Sequence, residues 1–136
     1  MRPLPFTSLL LALALAGCGG SHADRPLIPD LRSPVADVPV PAGFTLAGDS
    51  QSKVDDITRS RWVDHRYKGG DDVLPVANFY RDELPKHDWK LLDQSQPNGK
   101  EVALHFQKNK EDLTVTVTKH SFNTQIHIHL EAGKSS

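Results

Sequence analysis

The side chains with chemical potential in this chain gather near its C-terminus. His127-Ile128-His129 sets two imidazoles on one side of an alternating run. On an extended strand they stand roughly 6.5–7 Å apart. Imidazole is a good ligand for zinc or copper, and it exchanges a proton near pH 6.5. His105, Gln107, Thr114, Thr116, Thr118 and Gln125 fall in the same alternation class, so one polar strand face would carry them all. A metal needs a third ligand. In a simple meander the strand bearing Thr114, Thr116 and Thr118 separates His105 from the pair by two strand spacings, roughly 9.5 Å. Metal–imidazole bonds are only about 2.0–2.1 Å long. His120 or Glu131 would complete a set only if the last turn folded back. The expectation is therefore a solvated polar face offering a partner-binding surface at Thr114, Thr116, Thr118, His127 and His129. A metal or small ligand at His127 and His129, or a pH-responsive face, is the lesser alternative.

Other catalytic patterns are thin. The chain has no Gly-x-Ser-x-Gly, no His-Glu-x-x-His, no Gly-rich phosphate loop and no calcium loop. Asp64 and His65 are strand neighbours, so they should point to opposite faces. Asp55-Asp56 and Asp71-Asp72 read as turn and helix-cap residues. Arg59 and Arg61 share one side of a strand and would hold an anion only if that edge were built for it. No enzyme and no cofactor is expected.

These side chains need a sheet to position them. Val102, Leu104 and Phe106, then Leu113, Val115 and Val117, then Ile126, Ile128 and Leu130 alternate with polar residues over three successive segments. Period two means one buried face and one wet face. Asn98-Gly99 is a hairpin cue before the first of them. Upstream, 89–94, 43–47 and 58–67 read as strands and 49–56 as a polar turn. Val73, Val76, Ala77, Tyr80 and Leu84 recur at helical spacing, with Asp71 and Asp72 as N-cap candidates. Pro85 restrains the residue before it and marks the exit, which places the helix at 72–84. The expected fold is α+β, an antiparallel sheet in the order β-β-α-β-β-β-β with one helix packed on one face. One short helix covers only part of six strands, so the tether, strand curvature or a partner must cover the rest.

The start of the chain carries a different chemistry. Arg2 precedes an apolar run over 6–16, too short for a bilayer span of roughly 20 residues. A basic start, a short apolar run and small residues after it are the marks of a secretory leader. Leu15-Ala16-Gly17-Cys18 resembles the bacterial lipobox, and Cys18 is the only cysteine. The resemblance implies cleavage between Gly17 and Cys18, a diacylglycerol on the Cys18 thiol and a further acyl chain such as palmitate on the new amine. Several acyl chains, at about 0.8 kcal/mol per buried CH₂, make a durable anchor. Gly19, rather than Asp, follows the cysteine, which by the same resemblance implies an outer-membrane address facing the periplasm.

The expected organisation is a leader at 1–17, the lipidated cysteine and a Pro-rich tether at 18–42, a small α+β domain at 43–131 and a disordered tail at 132–136. The tether holds Pro26, Pro29, Pro34, Pro39 and Pro41, half of the chain's 10 prolines. As extended polyproline it would reach roughly 70 Å. A segment over 35–40 lying along a sheet edge, where proline is tolerated, is the alternative. Losing the leader removes 17 of 136 residues, Arg2 among them and no acid, and moves the net charge from −1 to −2. With no basic excess, nucleic acid is not an expected partner. The expected partners are the membrane, through the anchor, and an envelope protein.

A second resemblance rests on a Pro-Val-Pro-x-Gly-Phe entry at 39–44, Phe79-Tyr80, Leu84-Pro85, Trp89 and Leu104-x-Phe106-x-Lys108. This set is similar to that of small bacterial envelope lipoproteins. It implies a fold type and an envelope setting, and it brings no functional residue beyond the lipidated cysteine. Those chains usually have glycine just before the tryptophan, where this one has Asp88.

Overall fold

Alternation at 101–132 becomes three strands whose inward residues are all buried, from Val102 and Leu104 to Ile128 and Leu130. The computed structural model describes residues 26–134. The expected leader, its cut at Gly17 and Cys18, and tether residues up to 25 lie outside these, as do 135 and 136. The elements are β1 (Thr45–Leu46), β2 (Gln51–Val54), β3 (Arg61–Gly69), α1 (Val73–Glu83), a 3-10 turn (Leu84–His87), β4 (Lys90–Asn98), β5 (Glu101–Lys108), β6 (Glu111–Lys119) and β7 (Thr124–Ala132). All strand pairs are antiparallel. They form one sheet in the order β1-β3-β7-β6-β5-β4, with β2 on the same edge of β3 as β1. The fold is α+β, as expected, with seven strands instead of six.

The added strand is β2, where the sequence reads as a turn. Its four residues are all exposed, so no apolar alternation marks it. It is held by backbone pairing, Ser52 opposite Val63 and Lys53 opposite Trp62. The other edge strand, β4, is exposed along its whole length. Register breaks after Leu91 and Ser95 blunt it as a template. At the end of the chain β7 runs to Ala132, one residue into the expected disordered tail.

The expected tether is corrected from 27 onward. Residues 27–42 form a folded strap rather than a free spacer. Pro29 bridges Pro41, the Asp30 N–H donates to Val40 O at 2.7 Å, and the Ala42 N–H donates to Ile28 O at 2.8 Å. Val38 and Val40 are buried in the core, with Leu27 and Val35 packed against it. α1 lies over β5 and β6, and the strap adds its valines to the same core. The physical reason is apolar: burying a valine stabilises by about 1.5–3 kcal/mol, which offsets the entropy of ordering a segment already stiffened by prolines. Asp37 clamps the strap through Arg61 and Lys108, and its carbonyl accepts from Trp89 Nε1 at 2.8 Å.

Helix α1 begins where expected, but the cap differs. Asp72 is the N-cap residue, and its side chain makes no capping bond. Its carboxylate instead meets Lys119 Nζ at 3.0 Å and ties the helix start to the end of β6. Pro85 does not stop the chain at 84; it sits in the 3-10 turn that extends the helix. The exit is at Asp88, whose φ of 67° is left-handed. The Asp88 N–H donates to Pro85 O and the Trp89 N–H to Leu84 O, both at 3.2 Å. This closing arrangement favours glycine at the left-handed position and an apolar residue next. Asp88→Gly should therefore stabilise by about 0.5–1 kcal/mol, read as a higher urea midpoint; an unchanged or lower midpoint would mean the φ at 88 carries no strain.

The sheet has two unlike ends. One holds the β6–β7 turn at 120–123, the β4–β5 turn and the start of α1. The other holds the β2–β3 turn at 55–60 and the β5–β6 turn.

Candidate functional site on the open sheet face

The register places the expected face residues in rows. His105 of β5 lies opposite Thr114 of β6, Thr114 opposite His129 of β7, and His129 opposite Asp64 of β3. In a second row Thr116 is opposite His127, and His127 opposite Arg66. Thr118 lies opposite Gln125. The helix and the strap both pack on the other side, so this face carries no covering element among the described residues. Thr114, Thr116, Thr118, His127 and His129 are half-buried there.

The centre of the face is a residue that alternation alone does not single out. Asp64 Oδ2 lies 3.1 Å from His127 Nε2 and 3.3 Å from His129 Nδ1. Its other oxygen is 3.4 Å from Arg66 Nη1, which also reaches Asp49 at 3.2 Å. Burial would raise the Asp64 carboxyl, but hydrogen bonds from both histidines and the charge of Arg66 outweigh it and hold it below its ordinary value. One carboxylate thus orients two imidazoles. Trp62 lies on the same face, edge-on to His129 at 6.1 Å between ring centroids, with Lys53 Nζ 5.7 Å from its own ring centre. A cleft of about 500 Å³ beside it is lined by Lys53, Trp62, Glu131 and Ala132. Among the described residues, no three His, Cys, Asp or Glu side chains are arranged to hold a metal ion.

His105 is not part of the cluster. Strand β6 intervenes, and its Nδ1 is 2.8 Å from Asp93 Oδ1 on the β4 edge. Arg61 holds no free anion site, since Asp37 and Glu111 both occupy its guanidinium at 2.8 Å. Asp64 and His65 do point to opposite faces, as alternation requires. What sequence adjacency conceals is that Asp64 works with β7, more than sixty residues away. The signal was its parity with Trp62 and Arg66, which becomes meaningful only once β3 pairs with β7.

His65 belongs to the core side. It is 5% exposed, and its Nδ1 lies 3.0 Å from the Tyr67 hydroxyl. Burial lowers His65 from its ordinary 6.5, with Asp64 opposing, and burial pushes Tyr67 up to about 12. The unfolded chain therefore takes up the His65 proton first as pH falls. Stability should drop from pH 6.5 downward and level off below the folded value. His65→Gln should flatten this fall, read as urea midpoints at pH 7.5 and 5.5; equal falls in both proteins would remove His65 as the cause.

Comparison with known proteins adds one match. A family model described as START domain-like covers residues 49–127, more than half of the chain. It spans β2 to the middle of β7 and includes Asp64 and His127. No curated protein and no solved structure matches.

Proposed function

The chain belongs to the START domain-like family, and from that premise we propose a non-enzymatic binding domain, anchored by lipid at Cys18 in the cell envelope, that docks a partner protein on its open sheet face. The carrying observation is the Asp64–His127–His129 cluster beside Trp62. Side chains already held by one another lose little freedom on binding, which lowers the cost of association. An aromatic anchor next to oriented polar groups is the composition of an interface centre. The lipobox resemblance supports the anchor, and the outer membrane facing the periplasm is the proposed address.

Thr116→Lys and His127→Ala should each weaken partner recovery from the envelope while leaving the melting temperature within about 2–4 °C of wild type, because both side chains lie outside the core. Full recovery with both variants would show that this face does not dock the partner. A second reading has its own support. The START domain-like description suggests ligand binding, and the cleft beside Trp62 and Glu131 is open to solvent. A small ligand there would raise the melting temperature of the isolated protein with the logarithm of the ligand's concentration, and a face that docks only a protein would show no such shift in a small-ligand titration.

A further inference from the structure

The folded strap changes how far the domain can stand from its anchor. Its two legs run along the sheet, with the turn at Asp37 beside Arg61 and Glu111, near the β2–β3 and β5–β6 turns. The legs point the other way. Ala42 bonds Ile28, and Phe44 packs against Gly69 at the end of β3. The chain therefore leaves the domain at the end that holds the β6–β7 turn and the start of α1. Only eight residue steps separate Cys18 from Pro26. At no more than about 3.3–3.6 Å per residue, they reach under ~30 Å. Strand β7 alone, nine residues long, is about as tall. An anchored domain on so short a leash presents its leash end to the lipid.

That end displays apolar side chains with nothing to cover them among the described residues. Phe122 at the tip of the β6–β7 turn is 99% exposed, Ile28 on the strap 66% and Leu74 in the first turn of α1 56%. Lys119 and Asp72 brace the helix start to the strand that leads to Phe122. Lys68 and Lys100 stand exposed beside them, with Asp71 and Glu101 as nearby acids, so the end carries little net charge and suits a mixed zwitterionic and anionic surface.

We infer that the domain stands end-on on the bilayer, with Phe122 and Leu74 at the headgroup level of the leaflet that holds the Cys18 lipid. The inference rests on the anchoring proposed above. Aromatic and aliphatic side chains that enter the interface bury about 5–10 Å deep. The strands then rise away from the membrane, and the face of Asp64, His127 and His129 looks sideways into the aqueous space.

The test uses the full lipidated protein in phosphatidylethanolamine–phosphatidylglycerol vesicles containing brominated lipid. Acylation occupies Cys18, so Phe122→Cys or Ile57→Cys carries the one free thiol for an environment-sensitive fluorophore. Ile57 is 93% exposed at the opposite end and serves as the reference. A blue shift and loss of emission at 122, with neither at 57, is the expected result. Lengthening the leash with a Gly-Ser insert between 23 and 24 should weaken the quenching at 122 while the protein still floats with the vesicles. Flotation with both labels unquenched, or with 57 quenched more than 122, overturns the orientation and leaves the anchor standing. A protein without acyl mass at Cys18 that fails to float overturns the anchor, and the orientation with it.

Discussion

Trp89→Ala should cost the domain about 3–5 kcal/mol. The ring is 2% exposed. It occupies the position after the left-handed Asp88, where the helix exit directs an apolar side chain back onto the core. Its Nε1–H donates to Asp37 O, and Lys108 Nζ lies 5.2 Å from the ring centre. Alanine would leave a cavity, orphan the Asp37 carbonyl and loosen the strap in one step. The expected drop in Tm is on the order of 10–20 °C. Trp89→Phe separates the contributions, because it keeps most of the volume but loses the hydrogen bond and leaves the Asp37 carbonyl unpaired, at about 1–3 kcal/mol. A Trp89→Ala protein that melts within a few degrees of wild type would mean that the strap is not held through this ring.

Arg61→Leu should be the next most damaging change, at about 2–4 kcal/mol. Arg61 bonds Asp37 through both terminal nitrogens, at 2.8 and 3.0 Å, and Glu111 through Nε and Nη2, both at 2.8 Å. Its side chain is 28% exposed, so solvent screening keeps the loss below that of a fully buried pair. The pH dependence gives a second signature. Burial alone would raise the Asp37 carboxyl, but hydrogen bonds and charges from Arg61 and Lys108 outweigh it and hold it far below its ordinary 3.8. A carboxyl lowered on folding contributes stability that is present above pH 3.8 and lost as pH falls toward the folded value. Without Arg61, burial is opposed by Lys108 alone, so the acid unfolding midpoint of Arg61→Leu should move to higher pH. Circular dichroism across an acid titration reads both effects. An unmoved acid midpoint would show that Asp37 is not what ties the strap down.

Legibility followed apolar pattern. β5, β6, β7 and α1 each bury one face, so period and spacing announced them within a residue or two. β2 is exposed throughout, and the far half of β4, Ser95 to Asn98, has no large apolar residue, so no pattern marked them. Backbone pairing places them, and composition does not record that. The strap was illegible for another reason. Prolines at 26, 29, 34, 39 and 41 suggested an extended spacer, while Val38 and Val40 were too few to show a period. Their burial depends on an apolar sheet area left open by a short helix, a shortfall that the sequence did announce. The Gly-to-Asp departure at 88 marked a left-handed residue whose role only the φ angle explained. At the site, the histidines and threonines were visible by alternation. Asp64 was not, because its partners are set by β3 pairing with β7 across the whole domain.

The open face around Thr116 and His127 is proposed to dock a protein partner. Photocrosslinking in living cells tests it most directly, with the photoreactive residue placed at Thr116 and, on the exposed side of α1, at Asp82. One discrete adduct from Thr116 and none from Asp82 is the expected result. No adduct from Thr116, or the same adducts from both positions, would contradict it.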